Sequence, residues 1–275
     1  MITASYINVG ARRVLFVIAG LCCAISAWAA PDLRLATTTS TENSGLLKVI
    51  LPIFEANYGG KVRVISVGTG AALKLGENGD ADVVLVHARP LEDKFMAAGF
   101  GSVRKDVMYN DFIIVGPGRD PAGVRGTKDV IAAMTKISAS GAKFVSRGDE
   151  SGTHQMEKGY WKGAGITPQG AWYLSAGQGM GQVLTMTAEL AGYTLTDRAT
   201  YAAYKDKTGL ETLVEGDPQM FNPYGVIVVN PQRHPQANHA GAMAFADWLT
   251  SAAGQKAIAD FKINGVQMFF PSAGK

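Results

Sequence analysis

The chain has 275 residues, of which 47% are hydrophobic and only 18% are charged. This composition excludes a disordered chain, because disorder requires few apolar residues and much charge. The formal net charge of +3 gives no electrostatic reason to expect a nucleic-acid partner. The two cysteines, Cys22 and Cys23, are adjacent, which excludes a disulfide framework and a thiolate zinc site.

The first thirty residues have the pattern of a secretory signal peptide. They contain Arg12 and Arg13 but no acidic residue, and an apolar run at 14–27 ends in the small-x-small sequence Ala-Trp-Ala. The run is about 14 residues long, which is too short for a membrane anchor because a span needs roughly 20. We therefore predict a signal peptide over residues 1–30, cleavage near Ala29 or Ala30, and export to the periplasm.

Beyond residue 30, apparent strands and helices alternate, which predicts an α/β fold. Apolar and β-branched runs predict strands at 33–36, 62–67, 81–86, 104–116, 143–146 and 225–230. Amphipathic segments predict helices at 45–58, 71–77, 90–98, 128–140, 152–164, 181–191, 240–250 and 251–261. The polar segment 194–197 is predicted to be a loop, and 201–208 has no clear pattern.

Two extended runs, at 112–116 and 225–229, bracket a middle segment. They predict a chain that passes from one lobe to a second lobe and back. Lobe one would comprise 31–114 plus 228–275, and lobe two 115–227. Ligands of open α/β sheets lie at the carboxyl ends of strands, so a two-lobed chain would bind its ligand in a cleft that closes by hinge motion.

Three polar segments each follow a predicted strand and begin a predicted helix. They supply Thr38, Thr39 and Ser40 at 37–41, Gly68 and Thr69 at 66–70, and Arg147, Ser151 and Thr153 at 146–153. A helix N-terminus presents unpaired N–H groups that bind anions, and hydroxyl groups donate hydrogen bonds without adding charge. Each segment alone is also typical of a helix cap. Three similar junctions together predict an oxyanion site.

Arg147 directly follows the apolar pair Phe144 and Val145 of a predicted strand. Its guanidinium carries five donors in a fixed fork, which suits a tetrahedral oxyanion. Asp149 would then orient Arg147 rather than contact the ligand, because a carboxylate repels a dianion. The alternatives are a surface cation, or a partner for Asp149 or Glu150.

Other chemistry is less well supported. His154 and Glu157 lie three residues apart, but two ligands make a poor metal site, so we predict no metal ligand and no cofactor. The segment 148–152 is similar to a hydrolase nucleophile elbow, but Ser151 is one position late. We therefore predict a binding protein and not an enzyme, with a secreted serine hydrolase as the less favoured alternative. The glycine-rich turn at 177–181 is a weaker candidate for a fourth anion-facing helix start.

Six segments in this order resemble the periplasmic tungstate-binding proteins of ABC transporters. They are 35–47, 67–73, 79–83, 87–88, 108–112 and 146–154, and the resemblance covers nearly the whole chain after the signal peptide. It implies a two-lobed class II periplasmic-binding-protein fold with an oxyanion in the cleft. The implied contacts are Thr39, Ser40, Thr69, Arg147, Ser151 and Thr153, with Thr38 and Gly68 as further candidates. Which of Thr37, Thr38 and Thr39 faces the ligand stays open.

The resemblance also implies the ligand and the partner. Tungstate is fully deprotonated and suits a pocket of donors only, and molybdate is nearly the same size and shape. Phosphate is the alternative, since phosphate-binding proteins carry a stretch similar to the Arg-x-Asp-x-Ser-Gly-Thr at 147–153. The expected partner is a membrane permease driven by a cytoplasmic ATPase, and the protein itself is expected to be a monomer.

Overall fold

The computed structural model describes residues 30–274, so nearly all of the predicted signal peptide lies outside the described residues. The helices are α1 Thr39–Asn43, α2 Leu46–Tyr58, α3 Thr69–Asn78, α4 Arg89–Ala97, α5 Val130–Ser140, α6 Gly152–Gly163, α7 Met180–Glu189, α8 Arg198–Thr208, α9 His239–Thr250 and α10 Ala252–Asp260. The longer strands are β1 Leu33–Thr38, β2 Val62–Val67, β3 Val83–Val86, β4 Gly101–Gly116, β5 Phe144–Ser146, β6 Tyr173–Ser175, β7 Thr194–Asp197, β8 Glu211–Val214 and β9 Phe221–Val229. Three two-residue strands follow, β10 Lys262–Ile263, β11 Val266–Gln267 and β12 Phe270–Pro271.

The main sheet has the strand order β12-β4-β9-β3-β1-β2, with β7 and β8 also paired to β4. Strands β2 and β3 run parallel to β1, so the carboxyl ends of all three meet at one edge of the sheet. Strands β5 and β6 form a separate parallel pair. This mixed sheet with helices confirms the predicted α/β class.

Strand β4 changes partners along its length. Its first part, up to Asp111, pairs antiparallel with β9. From Phe112 to Val115 it pairs antiparallel with β7, and from Ile114 to Gly116 it also pairs antiparallel with β8. The strand therefore passes continuously from one set of neighbours to another.

The buried apolar residues form separate clusters that follow this change of partners. Two clusters draw mainly on β1, β2, β3, β9 and the helices beside them. Two others draw on the second part of β4 and on residues between 124 and 220. Over residues 30–274, no helix is long and apolar enough to cross a bilayer.

The prediction of a loop at 194–197 is wrong, because these residues form strand β7 and all four are buried. The threonine hydroxyls are satisfied by the backbone: Thr194 donates to Val145 O at 2.6 Å and Thr196 to Asp197 O at 3.1 Å. Polar residues with satisfied side chains are tolerated inside a protein, so the polar sequence concealed a central strand.

The polar segment 37–41 also contains structure that the pattern did not predict. Thr38 begins the single-turn helix α1 by accepting a hydrogen bond from the Thr41 N–H at 3.2 Å. Gly45 separates α1 from α2 with a φ of 82°, a left-handed backbone that glycine adopts without strain. The chain thus turns sharply at the carboxyl end of β1.

Candidate functional site

The three predicted junctions meet at the edge where the parallel strands end. Gly68 caps α3 after β2, and Ser151 caps α6 shortly after β5. The Gly152 N–H donates to Thr69 Oγ1 at 3.0 Å, which joins the starts of α3 and α6 directly. The structure therefore brings together residues that lie about 80 positions apart in the chain.

Arg147 lies at the centre of this cluster and is only 1% exposed. Its Nη1 donates to Ser40 Oγ at 2.8 Å, and its Nη2 donates to Thr39 Oγ1 at 2.9 Å. Gly148 follows with a φ of 62°, which turns the chain away immediately after the arginine. The alternative of a surface cation is therefore wrong, since the guanidinium is buried against the first residues of α1.

Asp149 pairs with Arg147, as the sequence analysis expects of a carboxylate that orients the arginine. Its Oδ2 accepts from Arg147 Nη2 at 2.5 Å, and its Oδ1 accepts from the Ser151 N–H at 3.2 Å. Both carboxylate oxygens are thus used within the protein. The carboxylate holds the guanidinium in place and offsets its charge.

The guanidinium retains donors without a partner among the described residues, and its Nε is one of them. Arg147 Nε is buried and has no hydrogen-bond partner among residues 30–274, and the same is true of Thr153 Oγ1. Buried polar atoms in native proteins are almost always hydrogen-bonded, so each such atom calls for an explanation. Both atoms belong to residues that the sequence assigned to the site.

The other site hydroxyls have a common arrangement. Thr39 and Ser40 accept from Arg147, Thr69 accepts from Gly152, and Ser151 accepts from the His154 N–H at 3.2 Å. A hydroxyl that accepts a hydrogen bond still has its own proton to donate. Within the described part of the chain, none of these protons has an acceptor. The cluster is therefore a set of donors.

The structure distinguishes the three neighbouring threonines that the sequence left open. The Thr37 hydroxyl donates to Leu85 O at 2.7 Å, inside the sheet. Thr38 Oγ1 lies 2.7 Å from Thr41 Oγ1 and 3.2 Å from His87 Nε2, in addition to its capping bond. Only Thr39 leaves a hydroxyl proton without a protein acceptor among the described residues.

Glycines allow the helix starts to approach one another closely. A Cβ on Gly68 would lie 3.0 Å from Asp149 O, and a Cβ on Gly179 would lie 3.5 Å from Thr39 Oγ1. Gly179 is the N-cap of α7 and has no side-chain capping bond. The turn at 177–181, a weaker candidate in the sequence, thus lies beside Thr39 and adds a fourth helix start to the cluster.

Sequence reasoning missed a closed set of buried polar residues beneath the 38–40 loop. We call this set the buried polar ring; its members are Thr38, His87, Asn222, Asn110, Asp197, Thr200 and Ser40. The bonds run from Thr38 Oγ1 to His87 Nε2 at 3.2 Å, and from His87 Nδ1 to Asn222 Oδ1 at 3.0 Å. They continue from Asn222 Nδ2 to Asn110 Oδ1 at 2.7 Å and from Asn110 Nδ2 to Asp197 Oδ1 at 3.5 Å. Thr200 donates its N–H to Asp197 and its hydroxyl to Ser40 O, and the backbone from Ser40 to Thr38 completes the ring.

The histidine of this ring is neutral at physiological pH. Burial lowers the pKa of His87 to about 4, against hydrogen bonding to Asn222, which raises it. Asn222 donates from its Nδ2 to Asn110, so its Oδ1 faces His87 and accepts a hydrogen bond there. The imidazole proton of His87 therefore lies on Nδ1. Four members of the buried polar ring, Thr38, Ser40, His87 and Asn110, lie in segments that carry the resemblance, but no pattern in the sequence predicts that they are bonded to one another.

The residues that suggested metal or hydrolase chemistry have structural partners. Glu157 accepts hydrogen bonds from Ser146, Trp161 and Tyr173, and burial raises its pKa. His154 Nδ1 accepts from the Glu150 N–H at 3.1 Å. In the described structure, the His154 ring makes no hydrogen bond to the Ser151 hydroxyl, the contact that activates a serine nucleophile.

The fold and the buried donor cluster define a solute-binding protein, and the comparisons agree. Residues 26–253 match the family model of the PBP superfamily domain, so the chain belongs to this superfamily. A crystal structure of the tungstate ABC transporter from Geobacter sulfurreducens is 56% identical, with a TM-score of 0.78, covering 84% of this chain and 98% of that one.

Two further relatives define the family more narrowly. The structure of the tungstate binding protein TupA from Desulfovibrio alaskensis G20 is 49% identical, with a TM-score of 0.74, covering 89% of this chain and 100% of that one. The tungstate-binding protein TupA of Peptoclostridium acidaminophilum is 49% identical over 245 residues, 88% of this chain and 86% of its own. The chain belongs to the family of these tungstate-binding proteins, and its fold is the two-lobed periplasmic-binding-protein fold.

Proposed function

We propose that the protein captures tungstate, and molybdate as its close analogue, between its two lobes and delivers the oxyanion to an ABC permease. The observation that carries this proposal is the buried guanidinium of Arg147, whose Nε has no partner among residues 30–274. Around it, the hydroxyls of Thr39, Ser40, Thr69 and Ser151 each accept a bond from the protein and keep a proton to donate. The names of the relatives support the same ligand.

The contacts we propose for the oxyanion are these four hydroxyls, Arg147 Nε, the unpartnered Thr153 hydroxyl, and the backbone at Gly68. We assign Thr38 a different task, because its hydroxyl already has partners on both Thr41 and His87. Thr38 caps helix α1, which carries Thr39 and Ser40. The uncapped starts of α3 and α7 add favourable dipoles for an anion.

A donor-only site favours tungstate over phosphate. Phosphate keeps a proton at neutral pH, and that proton needs an acceptor when it is buried. The nearby Asp149 carboxylate already accepts one bond on each oxygen, from Arg147 and from the Ser151 N–H, which leaves it fewer lone pairs for a phosphate proton. An unsatisfied buried donor costs about 1–3 kcal/mol, which corresponds to roughly 5- to 150-fold in affinity.

Closure of the cleft would follow from the origin of the contacts. Thr39, Ser40 and Thr69 belong to the predicted lobe one, whereas Arg147, Ser151 and Thr153 belong to the predicted lobe two. A ligand that requires both sets is satisfied only when the lobes come together, so it shifts the population toward the closed form. We propose capture without catalysis and without a cofactor, by a monomer in the periplasm after removal of residues 1–30.

Calorimetric titration of the purified protein with tungstate, molybdate, sulfate and phosphate tests this proposal. We expect tungstate and molybdate to bind, and phosphate and sulfate to bind far more weakly. Tightest binding of phosphate would contradict the ligand assignment. Absence of binding by all four oxyanions would contradict the proposal and favour the serine hydrolase alternative. Ester hydrolysis by the protein, compared with that of its Ser151→Ala variant, would test that alternative.

A further inference from the structure

Asp197 has a carboxyl group that the proposed site does not use and the fold does not fully satisfy. The residue is fully buried at the end of β7, where it caps α8. Its Oδ1 accepts from the Thr200 N–H at 2.9 Å and from Asn110 Nδ2 at 3.5 Å. Its Oδ2 is buried and has no partner among residues 30–274. A charged oxygen in such a place is costly to keep.

The carboxyl group is close to the proposed ligand position through two short connections. Thr200, which binds Asp197 with its N–H, donates its hydroxyl proton to Ser40 O at 3.0 Å. Arg147 is near enough for its charge to lower the pKa of Asp197, although burial is the larger effect and raises it. Thr200 thus links Asp197 to the backbone of Ser40, a proposed contact of the oxyanion.

A bound dianion changes the charge balance around this carboxyl. Arg147 is the cation of the cluster, and Asp149 already pairs with it. Adding two negative charges beside Arg147 removes most of the attraction that would keep Asp197 ionised. A nearby like charge and low solvent access both favour the neutral acid. Protonation of Oδ2 removes the charge from the buried oxygen that has no partner among the described residues, and a neutral O–H without a partner costs less to bury than a charged oxygen.

We propose that capture of the dianion is accompanied by uptake of one proton from solvent, which binds to the carboxyl group of Asp197. This inference rests on the proposed function. The protein and ligand together then bury one negative charge fewer, and the neutral acid keeps Oδ1 as the acceptor for Thr200 and Asn110. Affinity for tungstate therefore falls as pH rises, because the proton becomes harder to obtain.

Other charged or titratable groups face Asp197 from the surrounding elements. They are Arg147 after β5, with its partner Asp149; Tyr224 on β9, whose pKa is raised by burial and by Asp197; and His87 after β3, reached through Asn222. Arg198, the next residue in the chain, is paired with Asp111 and Glu215. His87 is neutral, because burial lowers its pKa to about 4, so it too is a group that the test must address.

The test is titration of the purified protein with sodium tungstate in buffers of different ionisation enthalpy, from about pH 6 to about pH 8. The dependence of the observed heat on the buffer gives the number of protons taken up. We expect uptake to approach ~1 proton per tungstate, with Kd rising by up to about tenfold per pH unit. Asp197→Asn, an isosteric neutral replacement, should bind with no uptake and a nearly constant Kd. His87→Gln should keep the uptake.

Each other outcome is informative. Tungstate binding without proton uptake would overturn this inference and leave the proposed function intact, whereas absence of binding would overturn both. Uptake that persists in Asp197→Asn would place the proton elsewhere and also refute the inference. If that variant does not fold, carbon-13 NMR of aspartate-labelled protein replaces it. The Asp197 carboxyl resonance must then move to its protonated position on addition of tungstate, and an unchanged resonance refutes the proposal.

Discussion

Replacing Arg147 by alanine removes the group on which the proposed site depends. The guanidinium makes three hydrogen bonds within the protein, to Ser40, Thr39 and Asp149. Its Nε is a donor that has no partner among the described residues. Alanine therefore deletes one charge-assisted bond to the ligand and also releases the two hydroxyls that Arg147 holds in place.

The structure allows the loss of affinity to be approximated. A hydrogen bond to a charged group contributes about 1.5–3 kcal/mol. Asp149 is left beside the dianion without its cation, and its side chain is only 17% exposed, so water screens the repulsion poorly. We expect Arg147→Ala to lose at least ~2 kcal/mol of tungstate binding, or about 30-fold in Kd.

Calorimetry measures this loss directly, and Arg125→Ala is the matched control. Arg125 is an exposed arginine that pairs with Glu211 at 2.8 Å, far in sequence from every site residue. The Arg125→Ala substitution should leave the Kd for tungstate unchanged. Arg147→Lys keeps the charge but not the fork, so its affinity should lie between those of alanine and wild type. A Kd for Arg147→Ala within about threefold of wild type, in a variant that folds normally, would refute the assignment of Arg147.

Three further predictions follow from the same cluster. Thr153→Val should raise the Kd for tungstate about 2- to 10-fold without lowering the melting temperature, because the Thr153 hydroxyl has no protein partner among residues 30–274. Gly68→Ala should weaken binding by about 1–3 kcal/mol, since its Cβ would crowd Asp149 O, whereas Gly70→Ala, whose Cβ meets Glu150 O at 3.9 Å, should not. His87, whose pKa burial lowers from 6.5 to about 4, must gain a proton on unfolding in acid, so stability should fall from about pH 6.5 to about pH 4. The free energy of unfolding should fall by about 3 kcal/mol over this pH range because of His87. Denaturant titrations at different pH values should show that His87→Gln lacks this contribution to the pH dependence of stability.

Each of these predictions has an outcome that contradicts it. A large drop in melting temperature for Thr153→Val would show that the hydroxyl has a structural partner. Equal Kd values for the two glycine variants would mean that the helix starts do not need to approach closely. Identical acid slopes for the wild type and His87→Gln would show that the imidazole is charged in the folded protein.

Much of the fold is predictable from the sequence because its periodic elements are long and apolar. The strand at 62–67 and the helices that end at Tyr58 and Thr250 follow from pattern alone. The failures share a cause, which is that burial of polar residues depends on partners far away in the chain. Thr194 is buried because it donates to Val145 O, 49 residues earlier, and no local pattern contains that bond.

The candidate site shows the same division. Arg147 and the hydroxyls beside helix starts are visible because strand–turn–helix junctions have a local signature. The buried polar ring is not visible in the sequence, because Asn222 and Asn110 are 112 residues apart and meet only when β4 pairs with β9. The difference between Thr38 and Thr39 is likewise a matter of side-chain direction, which a run of identical residues does not encode.

The passage of β4 between two sets of partners has a consequence for how the cleft moves. Between Asp111 and Phe112 the strand leaves β9 and joins β7. If the proposed lobes rotate at this point, few torsion angles of β4 have to change, and most of each apolar cluster stays packed, apart from Ala199 of α8, which packs with the cluster of β1, β3 and β9. We therefore expect a low barrier between the open and closed forms. If the minor form is populated to about 1–10%, a few kcal/mol of differential affinity is enough for the ligand to close the cleft.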